Sequence, residues 1–217
     1  MKKYDTVIFD MDGTLLNTLE DISDSINHVL AMYGFPVRKI SEVRSFLGNG
    51  AASLMELVIP DGSSNPQYTN CLEDYCNYYQ ENLMNKTCVY EGVRPLLEQL
   101  SREGCKIAIV SNKPDKAVKE LAVLYFDEYV KVAIGETEDI SRKPAPDTVL
   151  KAIEELGSTV EKTVYVGDSE VDVETARNSR IICVGVTWGF RDREVLEQQG
   201  ADYIIDTPQE LLKIIDC

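Results

Sequence analysis

Short runs of apolar and β-branched residues recur along this chain, each followed by a stretch with helical spacing. That alternation limits the fold more than any other feature. The runs lie at 6–9, 106–110, 130–134, 163–166, 181–186 and 203–205. Several are apolar at nearly every position, the pattern of parallel strands covered on both faces. Helical patterns occupy 93–103, 114–124, 146–156, 171–178, 192–199 and 208–215. Strand and helix in alternation predict an α/β fold built on a doubly wound parallel sheet.

One connection breaks the rhythm. Asp10 and Lys106 are 96 positions apart, whereas a strand-to-strand crossover needs only about 10–12 residues. The excess must hold a second unit. Within it 19–33 is amphipathic, 41–47 and 51–59 are short helical patterns, and 66–83 is tyrosine-rich and helical. Breakers separate them: Gly34-Phe35-Pro36, Gly48-Asn49-Gly50 and the stretch 60–66. No strand pattern occurs there. The expected organisation is therefore a core of 1–15 and 82–217 around a helical insert of 16–81, which suits the one or two domains that 217 residues allow.

Charge narrows the partners. Lys and Arg number 22 against 37 Asp and Glu, a net charge of −15. Such a field repels nucleic-acid backbones and anionic lipid, so neither is an expected partner. It also repels small anions, so a site for a phosphorylated metabolite must supply its own positive charge. No apolar run approaches the ~20 residues of a membrane span. The first five residues, Met1-Lys2-Lys3-Tyr4-Asp5, carry two lysines but lead into no signal-peptide core. The six cysteines at 71, 76, 88, 105, 183 and 217 show no CxxC spacing, and a single histidine cannot complete a zinc site with them. Reduced thiols in a cytoplasmic protein are expected.

Ligands of open parallel sheets bind beyond the carboxyl ends of the strands. Asp10-Met11-Asp12-Gly13-Thr14 follows the first run, and Ser111-Asn112-Lys113-Pro114 the second. Gly135 and then Arg142-Lys143-Pro144-Ala145-Pro146 follow the third, and Gly167-Asp168-Ser169-Glu170-Val171-Asp172 the fourth. Asp10 and Asp12, two residues apart on an extended segment, are expected to point the same way. Side by side they repel unless a cation or proton intervenes. With Asp168 they form an oxygen-only cluster of the kind that suits Mg²⁺. Taken alone, the same aspartates also fit a helix cap and a turn. Ser111 and Asn112 precede Pro114, a residue suited to the first helical position, where N–H groups bind anions; they fit a plain cap equally well. Lys143, before a proline, sits on a stiff extended stretch, either as fixed countercharge or as a solvated lysine.

Other chemistries lack their residues. His28 falls in the insert as a surface or packing residue, so neither Ser-His-Asp nor Cys-His catalysis is supported. Nor is there a GxxxxGK[ST] or GxGxxG phosphate cradle.

Together, Asp10-x-Asp12-Gly13-Thr14, Ser111, Lys143 and Gly167-Asp168-x-x-x-Asp172 resemble the four motifs of the haloacid dehalogenase superfamily, in order. The likeness spans the chain, since the helical insert is similar to the family's first-type cap. It implies a Rossmann-like core with an inserted α-helical cap domain. Dehalogenating members lack an acid at the position of Asp12 and ion-pumping relatives carry threonine there, so Asp12 implies phosphatase or phosphomutase chemistry. Leu47-Gly48-Asn49-Gly50-Ala51 with Leu54-Met55-Glu56, Ser111-Asn112-Lys113-Pro114 and Val186-Thr187-Trp188-Gly189-Phe190 resemble the phosphoglycolate phosphatases. Asn17, Ser111 and Glu91-Gly92 depart from that group's usual Asp, Thr and Pro-Gly.

The resemblance implies roles. Asp10 is the nucleophile, Asp12 the general acid and base, and Ser111, Asn112 and Lys143 bind substrate phosphate. Ser111 and Lys143 also count among the catalytic residues. Mg²⁺ is held by Asp10, the Asp12 main chain and Asp168, while Asp172 orients the lysine or a metal-bound water. The cap is expected to close over a small phosphorylated metabolite and read its leaving group, with Gly48-Asn49-Gly50 as a facing loop and Arg44 as a candidate carboxylate reader. A β-phosphoglucomutase-like mutase, a pyrophosphatase, and a broad sugar-phosphate or nucleotide phosphatase are the enzymatic alternatives. A phosphate-binding protein that has lost turnover is the non-enzymatic one. Either a monomer or a homodimer is compatible with the sequence.

Overall fold

The computed structural model describes residues 3–215. Met1, Lys2 and Cys217, which entered the reading of the N-terminus and of the cysteines, lie outside the described residues. In chain order the elements are β1 (Thr6–Phe9), β2 (Leu16–Asn17), α1 (Leu19–Met32), α2 (Ile40–Phe46), α3 (Gly50–Val58), α4 (Tyr68–Asn82), β3 (Cys88–Val89), α5 (Val93–Arg102) and β4 (Lys106–Pro114). They continue with α6 (Asp115–Phe126), β5 (Val132–Glu136), α7 (Asp147–Glu155), β6 (Thr163–Gly167), α8 (Glu170–Ser179), β7 (Ile182–Val186), α9 (Arg193–Gln199), β8 (Tyr203–Ile205) and α10 (Leu211–Ile215). The chain divides into two compact units, one of residues up to Leu16 and from Val89 onward, the other Asn17–Cys88.

The first unit is a six-stranded sheet in the order β5-β4-β1-β6-β7-β8, and every described pairing is parallel. In β1 all four side chains are buried, as a central strand requires. The register sets Ile8 between Ala108 of β4 and Tyr165 of β6. Because successive side chains alternate faces, Ile8, Ala108, Val110 and Tyr165 share one face. There they pack with Val149, Ala152 and Ile153 of α7, Val173 and Ala176 of α8, and Leu196 of α9. Val7, Phe9, Ile107, Ile109, Val164 and Val166 are equally buried on the other face. From β1 the chain builds β4 and β5 to one side, then returns to build β6, β7 and β8 on the other. The strand order therefore reverses beside β1, which makes the carboxyl ends of β1, β4 and β6 the crevice where such sheets bind ligands.

Three elements differ from the sequence expectation: β4, β2 and β3. β4 runs on to Pro114, so Ser111 and Asn112 lie in a strand and α6 begins only at Asp115. Ser111, Asn112 and Lys113 are buried, and the side chains of Asn112 and Lys113 find polar partners at the sheet's end. The residue before a proline also favours extended backbone. β2 and β3, paired with each other, leave no pattern in the sequence because two residues cannot display a period.

The second unit is a set of helices. α1 buries Ile22, Ile26, Val29 and Leu30, one stripe at helical spacing. Buried Asp21 accepts the backbone N–H groups of Lys86 at 2.9 Å and Thr87 at 2.8 Å, fixing the end of this segment to α1. His28 is exposed and stacks on Tyr78 with ring centroids 3.8 Å apart, a packing role. Cys71, Cys76, Cys88, Cys105 and Cys183 are free thiols. No helix among the described residues is long and apolar enough to cross a membrane.

Candidate active site

Asp10 follows β1 directly, and its N–H donates to the Val166 carbonyl at 2.8 Å, which keeps the chain in step with β6 for one residue past the strand. Lys143 arrives from the loop after β5. Its carbonyl accepts the Asn112 side-chain amide at 2.9 Å, the next carbonyl, of Pro144, accepts that of Asn178 at 2.8 Å, and the peptide between them is cis. So anchored, the Lys143 side chain is 3% exposed. Its ammonium donates to Asp10 Oδ1 at 2.7 Å, Asp172 Oδ1 at 2.8 Å and the Tyr165 hydroxyl at 3.0 Å, one acceptor for each of its three N–H groups.

Asp172 is set by its helix. Ser169 caps α8 and Asp172 stands at the third helical position, so its Oδ2 takes the Ser169 N–H at 3.0 Å and hydroxyl at 2.6 Å. Its Oδ1 takes Lys143 and the Tyr165 hydroxyl, the latter at 3.1 Å. Four donors on one carboxylate fill its lone pairs.

Asp168, at the end of β6, accepts the Phe190 N–H at 2.6 Å through Oδ2 and the Thr14 hydroxyl at 3.4 Å through Oδ1. Glycines make its space. A Cβ on Gly13 would stand 2.4 Å from Oδ2, and one on Gly189 would stand 2.3 Å from its Cβ. Gly13 also has φ +89°, a left-handed conformation that side chains disfavour.

Carboxylate oxygens of Asp10, Asp168 and Asp172 lie within 4.8 Å of one another. Burial, opposed by the Lys143 ammonium and reinforced by the charge of Asp172, raises Asp10 from its ordinary 3.8 to about 7. Burial, with Asp172 and Asp10, also raises Asp168 well above its usual range. Lys143 is raised as well: burial lowers it, but Asp10 and Asp172 outweigh that and hold it charged. Buried, clustered and oxygen-only, this set fits a hard divalent cation. Since the oxygens of Asp172 are filled, Asp10 and Asp168 are the members with capacity for it.

Asp12 stands apart from that trio. The chain turns after Asp10, with the Met11 carbonyl accepting the N–H groups of Leu15 and Leu16 at 3.0 Å. The Asp12 carboxylate meets a different lysine: Lys113 Nζ donates to Oδ1 at 2.8 Å and Oδ2 at 2.9 Å. Buried Ser111 lies beside it, its hydroxyl accepting the Lys113 N–H at 3.3 Å. Asp10, Asp12, Ser111, Asn112, Lys143, Asp168 and Asp172 thus gather at the ends of β1, β4 and β6 with Lys113 and Tyr165, while Asn178 holds the Lys143 loop from α8, and Arg44 and Gly48-Asn49-Gly50 belong to the second unit. Lys113 stands in the Ser111-Asn112-Lys113-Pro114 motif without a role assigned to it. Tyr165 reads as a core residue of its strand, although a hydroxyl in an otherwise apolar strand is a signal that a polar partner is needed. Asn178 carries no signal at all.

Residues 7–186 match the family model described as haloacid dehalogenase-like hydrolase. The phosphoglycolate phosphatase of Aquifex aeolicus is 30% identical over 211 residues, covering 97% of this chain and 96% of that one. Pyrophosphatase PpaX of Bacillus mycoides is 32% identical over 216 residues, covering 98% and 97%. Among solved structures, that of a predicted phosphoglycolate phosphatase from Haemophilus somnus superposes with a TM-score of 0.91 at 28% identity, covering 99% of both chains.

Proposed function

This chain belongs to the haloacid dehalogenase-like hydrolases, and from that premise we propose that it is a phosphatase that hydrolyses a small, phosphoglycolate-type phosphate monoester through an aspartyl-phosphate on Asp10. The observation that carries the reading is the buried Asp10 carboxylate held 2.7 Å from the Lys143 ammonium at the end of β1, with a second aspartate two residues on.

Asp10 attacks phosphorus, replacing one hard displacement by water with two easier steps. Lys143 offsets the charge of nucleophile and phosphate, and Asp172 and Tyr165 hold the lysine in place. Ser111 and neighbouring backbone N–H groups bind phosphoryl oxygens, and Asn112, which holds the Lys143 carbonyl, is part of the same phosphate pocket. Asp12 gives a proton to the departing alkoxide, then takes one from the water that hydrolyses the aspartyl-phosphate. The Asp10 carboxylate, the Asp12 main-chain carbonyl and Asp168 would hold Mg²⁺, which when bound would supply charge that lets one anion approach another. Lysine and cation together overcome the −15 field locally. Under the same proposal the helical unit Asn17–Cys88 is the family's cap.

A second reading, hydrolysis of pyrophosphate by the same residues, is favoured by the likeness to the Bacillus mycoides pyrophosphatase. Phosphate release from phosphoglycolate, hexose phosphates, nucleotides and pyrophosphate, with Mg²⁺ and with EDTA, tests both. Metal-dependent release led by phosphoglycolate is expected. Release led by pyrophosphate selects the second reading, and binding of these compounds without release from any contradicts both.

A further inference from the structure

The site contains two buried lysines, and the reaction as derived above uses one. Lys143 serves Asp10. Lys113, whose side chain is 3% exposed, reaches from the end of β4 to Asp12, whose side chain is 21% exposed. A buried ammonium is costly unless it is paired, so its location reflects its partner. Contact with both oxygens at near-equal distances, 2.8 and 2.9 Å, fixes the plane of the carboxylate as well as its position. Asp12 follows a turn and opens partly to solvent, so a contact that fixes its rotamer matters. A carboxylate has about four lone-pair sites, so the two contacts from Lys113 do not by themselves fill it. When one oxygen carries the proton to be donated, the other still accepts from the ammonium.

We infer that Lys113 is the positioning residue of Asp12, holding the acid/base carboxylate in one orientation through both halves of the reaction. The inference rests on the proposed hydrolysis, because it gives Asp12 a proton to deliver. It assigns one buried lysine to each acid: Lys143 to the nucleophile and Lys113 to the proton carrier.

An acid matters most when the leaving oxygen is a poor leaving group. Lys113→Met is therefore expected to lower kcat/KM for an alkyl phosphate about 30- to 100-fold, a part of the roughly 10²–10⁴-fold that general acid catalysis supplies, and for p-nitrophenyl phosphate less than about 5-fold. A residue that only supports the fold lowers both alike. In an Asp12→Ala background the same substitution should cost nothing further on the alkyl ester at high enzyme concentration, since its effect passes through Asp12. Equal losses on the two esters, or a further loss in the Asp12→Ala background, would overturn the inference. If Lys113→Met does not fold, Asp12→Ala/Lys113→Met leaves neither charge buried alone, and its comparison with Asp12→Ala decides the question. Wild-type protein that releases no phosphate from either ester contradicts the hydrolase reading itself, and the inference with it.

Discussion

Asp10, Asp168 and Asp172 share one small volume with a single ammonium, and the details of each residue follow from that shortage of positive charge. Asp172 is neutralised by donors and Asp10 by Lys143, which leaves Asp168 to call for a cation. Tyr165 links two of these groups, so Tyr165→Phe removes one bridge but strands neither neighbour, since Lys143 and Asp172 still pair at 2.8 Å. A loss of about 1 kcal/mol of stability by urea unfolding is expected, with a few-fold fall in kcat. Asp12→Asn keeps the shape and removes the proposed proton carrier, so kcat on an alkyl phosphate should fall about 10²–10⁴-fold in a steady-state assay. Asp10, Asp12, Ser111, Lys143, Asp168 and Asp172 were legible in the sequence because strand ends and spacing mark them. Lys113 and Tyr165 were not, because their meaning lies in partners 101 and 22 positions away, which only the sheet register brings near.

At the scale of elements, the strands were legible because fully buried strands leave uninterrupted apolar runs. Their limits were not: a strand ending in Ser-Asn-Lys looks like a loop until the buried partners of those side chains are known. Glycines at the strand ends tell the same story. Gly189 is ordinary as a turn residue, yet its hydrogen faces Asp168, and a methyl there would stand 2.3 Å from the aspartate's Cβ. Gly189→Ala should cost about 1–3 kcal/mol through overpacking and, by displacing Asp168, raise the Mg²⁺ concentration needed for half-maximal activity in a metal titration. In the helical unit, buried Asp21 holds the backbone N–H groups of Lys86 and of buried Thr87. Asp21→Ala is expected to cost about 2–4 kcal/mol in denaturant unfolding, the scale of losing hydrogen bonds to a buried charged acceptor. Helix order in this unit was legible from breakers and stripes, whereas that anchor joins residues 65 and 66 positions apart and left no local trace.

For the molecule as a whole, an acidic protein with a buried acidic cluster ties stability to protons and metal. Asp10 is raised from 3.8 to about 7 in the folded chain. Across that window the metal-free native state binds more protons than the unfolded state, so the contribution of this group to stability falls as pH rises from about 4 to about 7. Under the proposed function Mg²⁺ would bind the ionised cluster and should reverse the trend. Thermal unfolding in EDTA is expected to show a lower Tm at pH 7.5 than at pH 5.5 from this term, and saturating Mg²⁺ should raise Tm by about 5–10 °C at pH 7.5 and less at pH 5.5. The fold class and the position of the site on the sheet followed from strand alternation alone, since a doubly wound sheet leaves one place for a ligand. Its chemistry turns on whether Asp10 is the nucleophile. The direct measurement is a single-turnover reaction with a phosphate monoester and Mg²⁺, stopped in acid within the burst, with the peptides examined by mass spectrometry. Wild-type protein should carry one phosphoryl group on Asp10, and Asp10→Asn should carry none and turn over more than about 10³-fold more slowly. Turnover by Asp10→Asn at the wild-type rate, or a wild-type burst with Asp10 unmodified, would contradict it.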